Sequence, residues 1–316
     1  MKIFTKICLA VCLVLLGIGA LCVGAGMALG SGFKEVQQMA DAGELNIGNW
    51  HVGNHEFYYG EGEEVVLMGD FSDTYASEQI ENLHVDIKYG EILFTSSSTD
   101  SIEVSIQAPK RNSYTCKIDG GTLKIKDETS RPRWRVGDKG VTVEISIPEG
   151  KEFEDVKIKT DAGTVEAEYK FQARNIDLEL GAGELVAAAF LAEESFKAEV
   201  GAGNLEIAEF SAEKLKVDCG VGNAELKGTV AEKVDADCGV GNLTLILAGS
   251  ESDYNYEIDC GIGEVQINND FYSGLSEQKN IDNDADKDIQ LDCGVGKLKV
   301  KNAEWEETVN GTEKTI

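Results

Sequence analysis

Four times the chain writes Asp-Cys-Gly-x-Gly: KVDCGVGNAEL at 216–226, DADCGVGNLTL at 235–245, EIDCGIGEVQI at 257–267 and QLDCGVGKLKV at 290–300. A carboxylate, a thiol and two glycines beside one another offer three chemistries. They are oxygen ligands for a hard cation such as calcium, a sulfur for redox or metal work, and a backbone loop for phosphate. The last is excluded by the pattern. A nucleotide loop needs a third glycine and a helix to open, and it is needed once. A motif written four times is a unit of architecture.

The elements that must position these residues are strands. Aligned on the second glycine, Gly163, Gly183, Gly203, Gly222, Gly241, Gly263 and Gly296 follow one another at 20, 20, 19, 19, 22 and 33 residues. Before each glycine pair, apolar residues alternate: Ile176, Leu178 and Leu180; Phe196, Ala198 and Val200; Leu215, Val217 and Cys219; Ile289, Leu291 and Cys293. Period two marks a half-buried strand. A second alternating strand follows, as at Leu205 and Ile207 or Leu243, Leu245 and Leu247.

A two-strand unit of about 20 residues cannot bury its apolar face alone, but identical units stacked in register share one core. The expected fold is all-β, a parallel β-solenoid of such rungs, with an antiparallel meander of hairpins as the alternative. The glycines Gly181, Gly183, Gly201, Gly203, Gly220, Gly222, Gly239, Gly241, Gly261, Gly263, Gly294 and Gly296 turn the chain where a side chain would collide or positive φ is needed. Cys219, Cys238, Cys260 and Cys293 take the inward place of Leu180 and Val200, a ladder of small apolar side chains. Weaker rungs are expected at 87–94 and 117–125, and another at 40–47; counting from Gly90 there are nine. Residues 268–288 account for the wide last spacing as a loop extruded between rungs.

Outward and just before the ladder stand Glu179, Glu199, Asp218, Asp237, Asp259 and Asp292. Carboxylates about 4.8 Å apart repel by roughly 1 kcal/mol even in water, so something offsets them. Neighbouring lysines such as Lys197 and Lys216 do so on one reading; on the other, Asp218, Asp237, Asp259 and Asp292 form a calcium strip, with turn carbonyls supplying the remaining oxygens. Calcium is the one cofactor the sequence suggests. The thiols, one per rung, cannot surround a metal tetrahedrally. Arg131, Arg133, Trp134 and Arg135, in RPRWRVGDKG, are the basic cluster that would contact an anionic polymer or pair with the acidic body.

The formal charge of −28 over 316 residues excludes nucleic acid, whose recognition rests on Lys and Arg. No Ser/His/Asp or Cys/His set stands at a catalytic spacing, so no enzyme is expected. Residues 7–29 carry no charge and follow Lys2 and Lys6. At about 1.5 Å per residue that run spans about 34 Å, enough for a transmembrane helix. The positive flank places the N-terminus in the cytoplasm and the rest outside the cell. A cleaved signal ending near Ala28-Leu29-Gly30 is the alternative.

Residues from about 80 to 302, with ENLHVDIKYGEILF, VTVEISIPEG, VKIKTDAGTVEA and the DCGVGN series, resemble the bacterial putative-adhesin domain family of unknown function. The resemblance implies Gly-x-Gly β-repeats and a place in the cell envelope, in some members linked to envelope stress. It offers no catalytic residues. The expected organisation is a membrane signal-anchor at 1–30, a juxtamembrane segment and cap at 31–79, the repeat domain at 80–302 and a tail at 303–316. The expected role is a non-catalytic, single-pass envelope protein that presents its ectodomain for adhesion or binding to an envelope protein or polymer. The alternative is a stress sensor acting through a membrane partner.

Overall fold

A computed structural model of the chain describes residues 45–47, 50–52, 57–61, 64–109, 112–129, 140–273 and 277–303. They form strands and two single 3-10 turns, Ser77–Gln79 and Glu251–Asp253, so the protein is all-β. Among the described residues no helix is long and apolar enough to cross a membrane. The span expected at 7–29 lies outside them, as do Arg131, Arg133, Trp134 and Arg135 and the tail from residue 304.

The chain divides into two compact units, one through Leu67 and one from Met68. In the first, Leu45–Ile47, Trp50–Val52, Phe57–Glu61 and Glu64–Met68 make an antiparallel ribbon. The rung expected at 40–47 is therefore corrected where it is described: Leu45–Ile47 pairs with the strand that follows it.

The second unit is built on parallel register. Asn82–Ser97 pairs with the start of Glu152–Ala248 so that Gly163 faces Gly90, Ile158 faces Val85 and Val165 faces Ile92. The rungs after it stack glycine on glycine. A Cβ on Gly183 would fall on the Gly163 carbonyl, and the same holds from Gly203 to Gly183, Gly222 to Gly203 and Gly241 to Gly222. The parallel register overturns the meander alternative for these rungs. The expected inward positions are buried in every rung, with Cys219, Cys238 and Cys260 at 0% exposure and Cys293 at 3%.

The middle rungs contain a third inward segment. After Ile207 the alternation skips a position and resumes at Phe210 and Ala212, all three buried. An aromatic file runs through this segment: Phe171 stacks on Phe190 at 5.2 Å and nearly parallel at 12°, and Phe94 of the neighbouring rung meets Phe171 edge-on at 5.0 Å and 80°. Stacked and edge-to-face pairs of this kind add roughly 1 kcal/mol each beyond burial.

Two expectations are corrected at the ends. The rung at 117–125 is a hairpin, Ser113–Asp119 against Thr122–Asp127. Gly120 and Gly121 at its tip have φ of +55° and +76°. Positive φ at both loop residues makes a primed turn that folds the strand onto itself, so the chain cannot advance a rung. This hairpin covers the first half of Asn82–Ser97 through Thr122–Asp127. Val141–Pro148 covers the second half, followed by the antiparallel strands Ser101–Gln107 and Phe71–Ala76.

At the other end, residues 268–288 are no extruded loop. Asp270–Ser273 folds back on Glu264–Ile267, and Glu277–Ile281 on Tyr254–Cys260. Lys287–Ala303 then slots between two earlier rungs. One edge pairs with 233–248, matching Cys238 to Cys293 and Gly241 to Gly296, and the other with Tyr254–Cys260 and Glu264–Ile267. Among the described residues the rungs number eight, not nine, in the spatial order Gly90, Gly163, Gly183, Gly203, Gly222, Gly241, Gly296, Gly263.

Candidate interaction surface

From Glu179 onward, each strand that enters a glycine turn ends with an outward residue, an inward one and a glycine. At Asp218, Cys219 and Gly220 the carboxylate faces solvent, the thiol faces the core and the chain bends. Gly222 shows why the second glycine is fixed: its φ is +144°, and a Cβ there would land on the Gly203 carbonyl oxygen. The first glycines are held by approach alone. On Gly220 a Cβ would lie 2.7 Å from the Gly201 oxygen. Turn geometry thus repeats from rung to rung, and like residues form files along the corner.

The inner file is Ile87, Thr160, Leu180, Val200, Cys219, Cys238, Cys293 and Cys260, all buried. The four thiols stand next to one another and none of them is in a disulfide. Burial first, then the neighbouring Cys293 and Cys219, push the Cys238 thiol up to about 12. A thiol so placed stays protonated and is a packing group. Cys116, outside this file, is half-buried and lies 3.2 Å from the Tyr75 hydroxyl.

The acidic file has two halves. Lys157 donates to Glu179 at 2.6 Å and Lys159 at 2.9 Å, which hold the Glu179 carboxyl down at about 2. Lys197 pairs with Glu199 at 2.6 Å. Beyond these, Asp218, Asp237, Asp292 and Asp259 stand in that order, and among the described residues none is in an ion pair. Asp259 accepts from Gln278 at 2.9 Å and Asp292 from Gln290 at 3.2 Å. Burial, then Asp218 and Asp292, raise Asp237 above its ordinary range, with Lys216 opposing. Lysine neutralisation, one expected answer to the repulsion, therefore holds for the first half alone. Among the described residues no group of three or more His, Cys, Asp or Glu is gathered to hold a metal ion. Calcium takes six to eight oxygens, and a file supplies about one carboxylate per 4.8 Å, so the strip is not a ready-made ion cage.

A further file was not singled out from the sequence: the middle residue of Gly-x-Gly. Val221, Val240, Val295 and Ile262 are exposed at 54, 49, 52 and 71%. Val240 and Val295 are register partners, and the Ile262 amide bonds to the Gly294 carbonyl beside them. The signal was present in the repeat itself, since a residue between two turn glycines has no core to face. Next to it runs an amide file in which Asn223 donates to Asn204 at 3.1 Å and Asn242 to Asn223 at 2.9 Å. Along the acidic side a trench of about 320 Å³ is lined by Glu179, Gly181, Glu199, Gly201, Asp218 and Gly220.

Fold and corner together define an all-β protein of stacked glycine-turn repeats. The Toastrack DUF4097 family profile matches residues 80–272, more than half of the chain, and the chain belongs to that family. Among solved structures it is similar to a "putative cell adhesion protein" of Clostridium sporogenes, with 12% identity over 75% of this chain and 100% of that one and a TM-score of 0.30. A "putative adhesin" of Bacteroides fragilis matches at 13% identity over 73% and 96%, TM-score 0.30. One from Parabacteroides distasonis matches at 12% over 75% and 98%, TM-score 0.26. These likenesses are too slight to carry residue roles or function. No curated protein matches the chain significantly.

Proposed function

We propose that the protein is a non-catalytic, membrane-anchored component of the cell envelope whose stacked rungs form a β-solenoid that binds an extended partner. One observation carries this reading: at the glycine corner like outward residues recur in register from rung to rung, as Asp237 beside Asp292 and Val240 beside Val295, so the surface presents continuous files. Repeat stacks of this kind offer long binding faces. Family membership and the uncharged run at 7–29 behind Lys2 and Lys6 support the envelope setting. The test is alkaline carbonate extraction of membranes from cells expressing the full chain, followed by protease treatment of intact cells. The reading expects the chain to stay with the membrane and its C-terminal region to be cleaved from outside. Release by carbonate, or protection of the C-terminal region, would overturn it.

A further inference from the structure

Two gradients run along the glycine corner, and they coincide. In spatial order the middle residue of each turn is Tyr89, Ala162, Ala182, Ala202, Val221, Val240, Val295 and Ile262, so alanine gives way to larger, exposed aliphatics in the last four rungs. In the same four rungs the adjoining acidic file consists of Asp218, Asp237, Asp292 and Asp259, outside any ion pair among the described residues, whereas Glu179 and Glu199 before them are held by lysines. Between the two files lie Gly220, Gly239, Gly294 and Gly261, which raise no side chain. The result is an aliphatic rail and an anionic rail with an open floor. Exposed apolar side chains gathered in a row mark an interaction site.

From this coincidence the geometry points to a docking rail, on the last four rungs, for a cationic polypeptide segment carrying aliphatic side chains. The proposal rests on the binding function above and names its partner class. Charge complementarity selects the occupant, since a partner that covers Val221 to Ile262 must also set its own groups against four carboxylates. Spacing fits as well. Three steps of about 4.8 Å make about 14 Å, the length of about ten helical residues, and residues three or four apart on a helix stand about 5–6 Å apart, close to one rung. A second copy of this chain is the poorer occupant, because it brings the same acidic corner and a net charge of −28.

The experiment uses the full chain in detergent micelles and fluorescent peptides of about 14 residues, helical and bearing Lys and Leu on one face. Two control peptides replace Lys by Glu, or Leu by Ser. Two protein variants are compared, Val221→Ser/Val240→Ser/Val295→Ser and Asp218→Asn/Asp237→Asn/Asp292→Asn, each checked for an unchanged far-ultraviolet spectrum and melting. All six positions face solvent or are half-exposed, so both variants should fold. Binding of the Lys/Leu peptide should weaken about tenfold or more in each variant and in each control peptide, and should fall with added salt. Absence of binding, equal binding of the Glu/Leu peptide, or binding that both variants leave intact would overturn the proposal. So would self-association of the chain abolished by the valine variant, which would assign the rail to a second copy. Each of these leaves the carbonate and protease result standing, so failure of the partner class is separable from failure of the envelope reading.

Discussion

Glu179 is where a single side chain decides how the acidic file behaves. Its carboxylate accepts from Lys157 and Lys159, and these bonds hold its pKa down at about 2, below the ordinary value of 4.5. A depressed carboxylate stabilises the fold above the unfolded-state value, and the contribution is lost as pH falls through the folded one. The pairs are partly exposed and screened, so Glu179→Gln should lower stability at pH 7 by about 1 kcal/mol. The deficit should close between pH 4.5 and about 2, which denaturant melts of both proteins at several pH values would read. A deficit that persists unchanged at pH 2 would show that the loss comes from packing. Asp237 has the opposite sign. Burial and its acidic neighbours raise its pKa, so its charge is a burden at neutral pH. Thr160, the one hydroxyl in the inner file, is buried with no hydrogen-bond partner for its oxygen.

At the scale of the rung, the aromatic file ends where a side chain would no longer fit. On Gly228 a Cβ would strike the Phe210 carbonyl oxygen and the edge of its ring. Gly228→Ala should therefore cost about 2 kcal/mol, the usual range for overpacking, although alanine is otherwise the milder residue in a strand. Thermal melting beside a solvent-facing control such as Lys227→Ala would check it; equal melting temperatures would contradict the packing described. The two strands around each glycine pair were legible, because Ile176, Leu178 and Leu180 keep strict period two up to the turn. The third inward segment was not. The step from Ile207 to Phe210 breaks the period, and only the packing of Phe171 on Phe190 shows what the break achieves. Hairpin and rung were likewise alike in sequence. Gly120-Gly121 reverses the chain and Gly220-Val221-Gly222 advances it, a difference of one residue between the glycines.

Across the whole repeat unit, the feature that matters most for function is the order of the last rungs. The sequence read as a simple succession puts Gly263 beside Gly241, with a loop thrown out before Gly296. Instead Lys287–Ala303 enters between them, which completes both partners of the inserted strand and leaves the Gly263 rung outermost, covered by Asp270–Ser273 and Glu277–Ile281. Local alternation could not reveal this, since Leu291 and Ile258 fit either slot equally well and register between distant strands is set by the whole stack. The order brings Asp292 between Asp237 and Asp259 and Val295 beside Val240, so the unpaired acids and large aliphatics are continuous. Cysteine pairs at the outward positions test it directly. Register partners in neighbouring strands lie about 4.8 Å apart, within reach of a disulfide, and residues two strands apart, at about 9.6 Å, do not. Mild oxidation of Asp237→Cys/Asp292→Cys, mapped by mass spectrometry, should link the two introduced thiols, and Asp237→Cys/Asp259→Cys should remain unlinked. A link from 237 to 259 with none from 237 to 292 would contradict the order on which the corner is built.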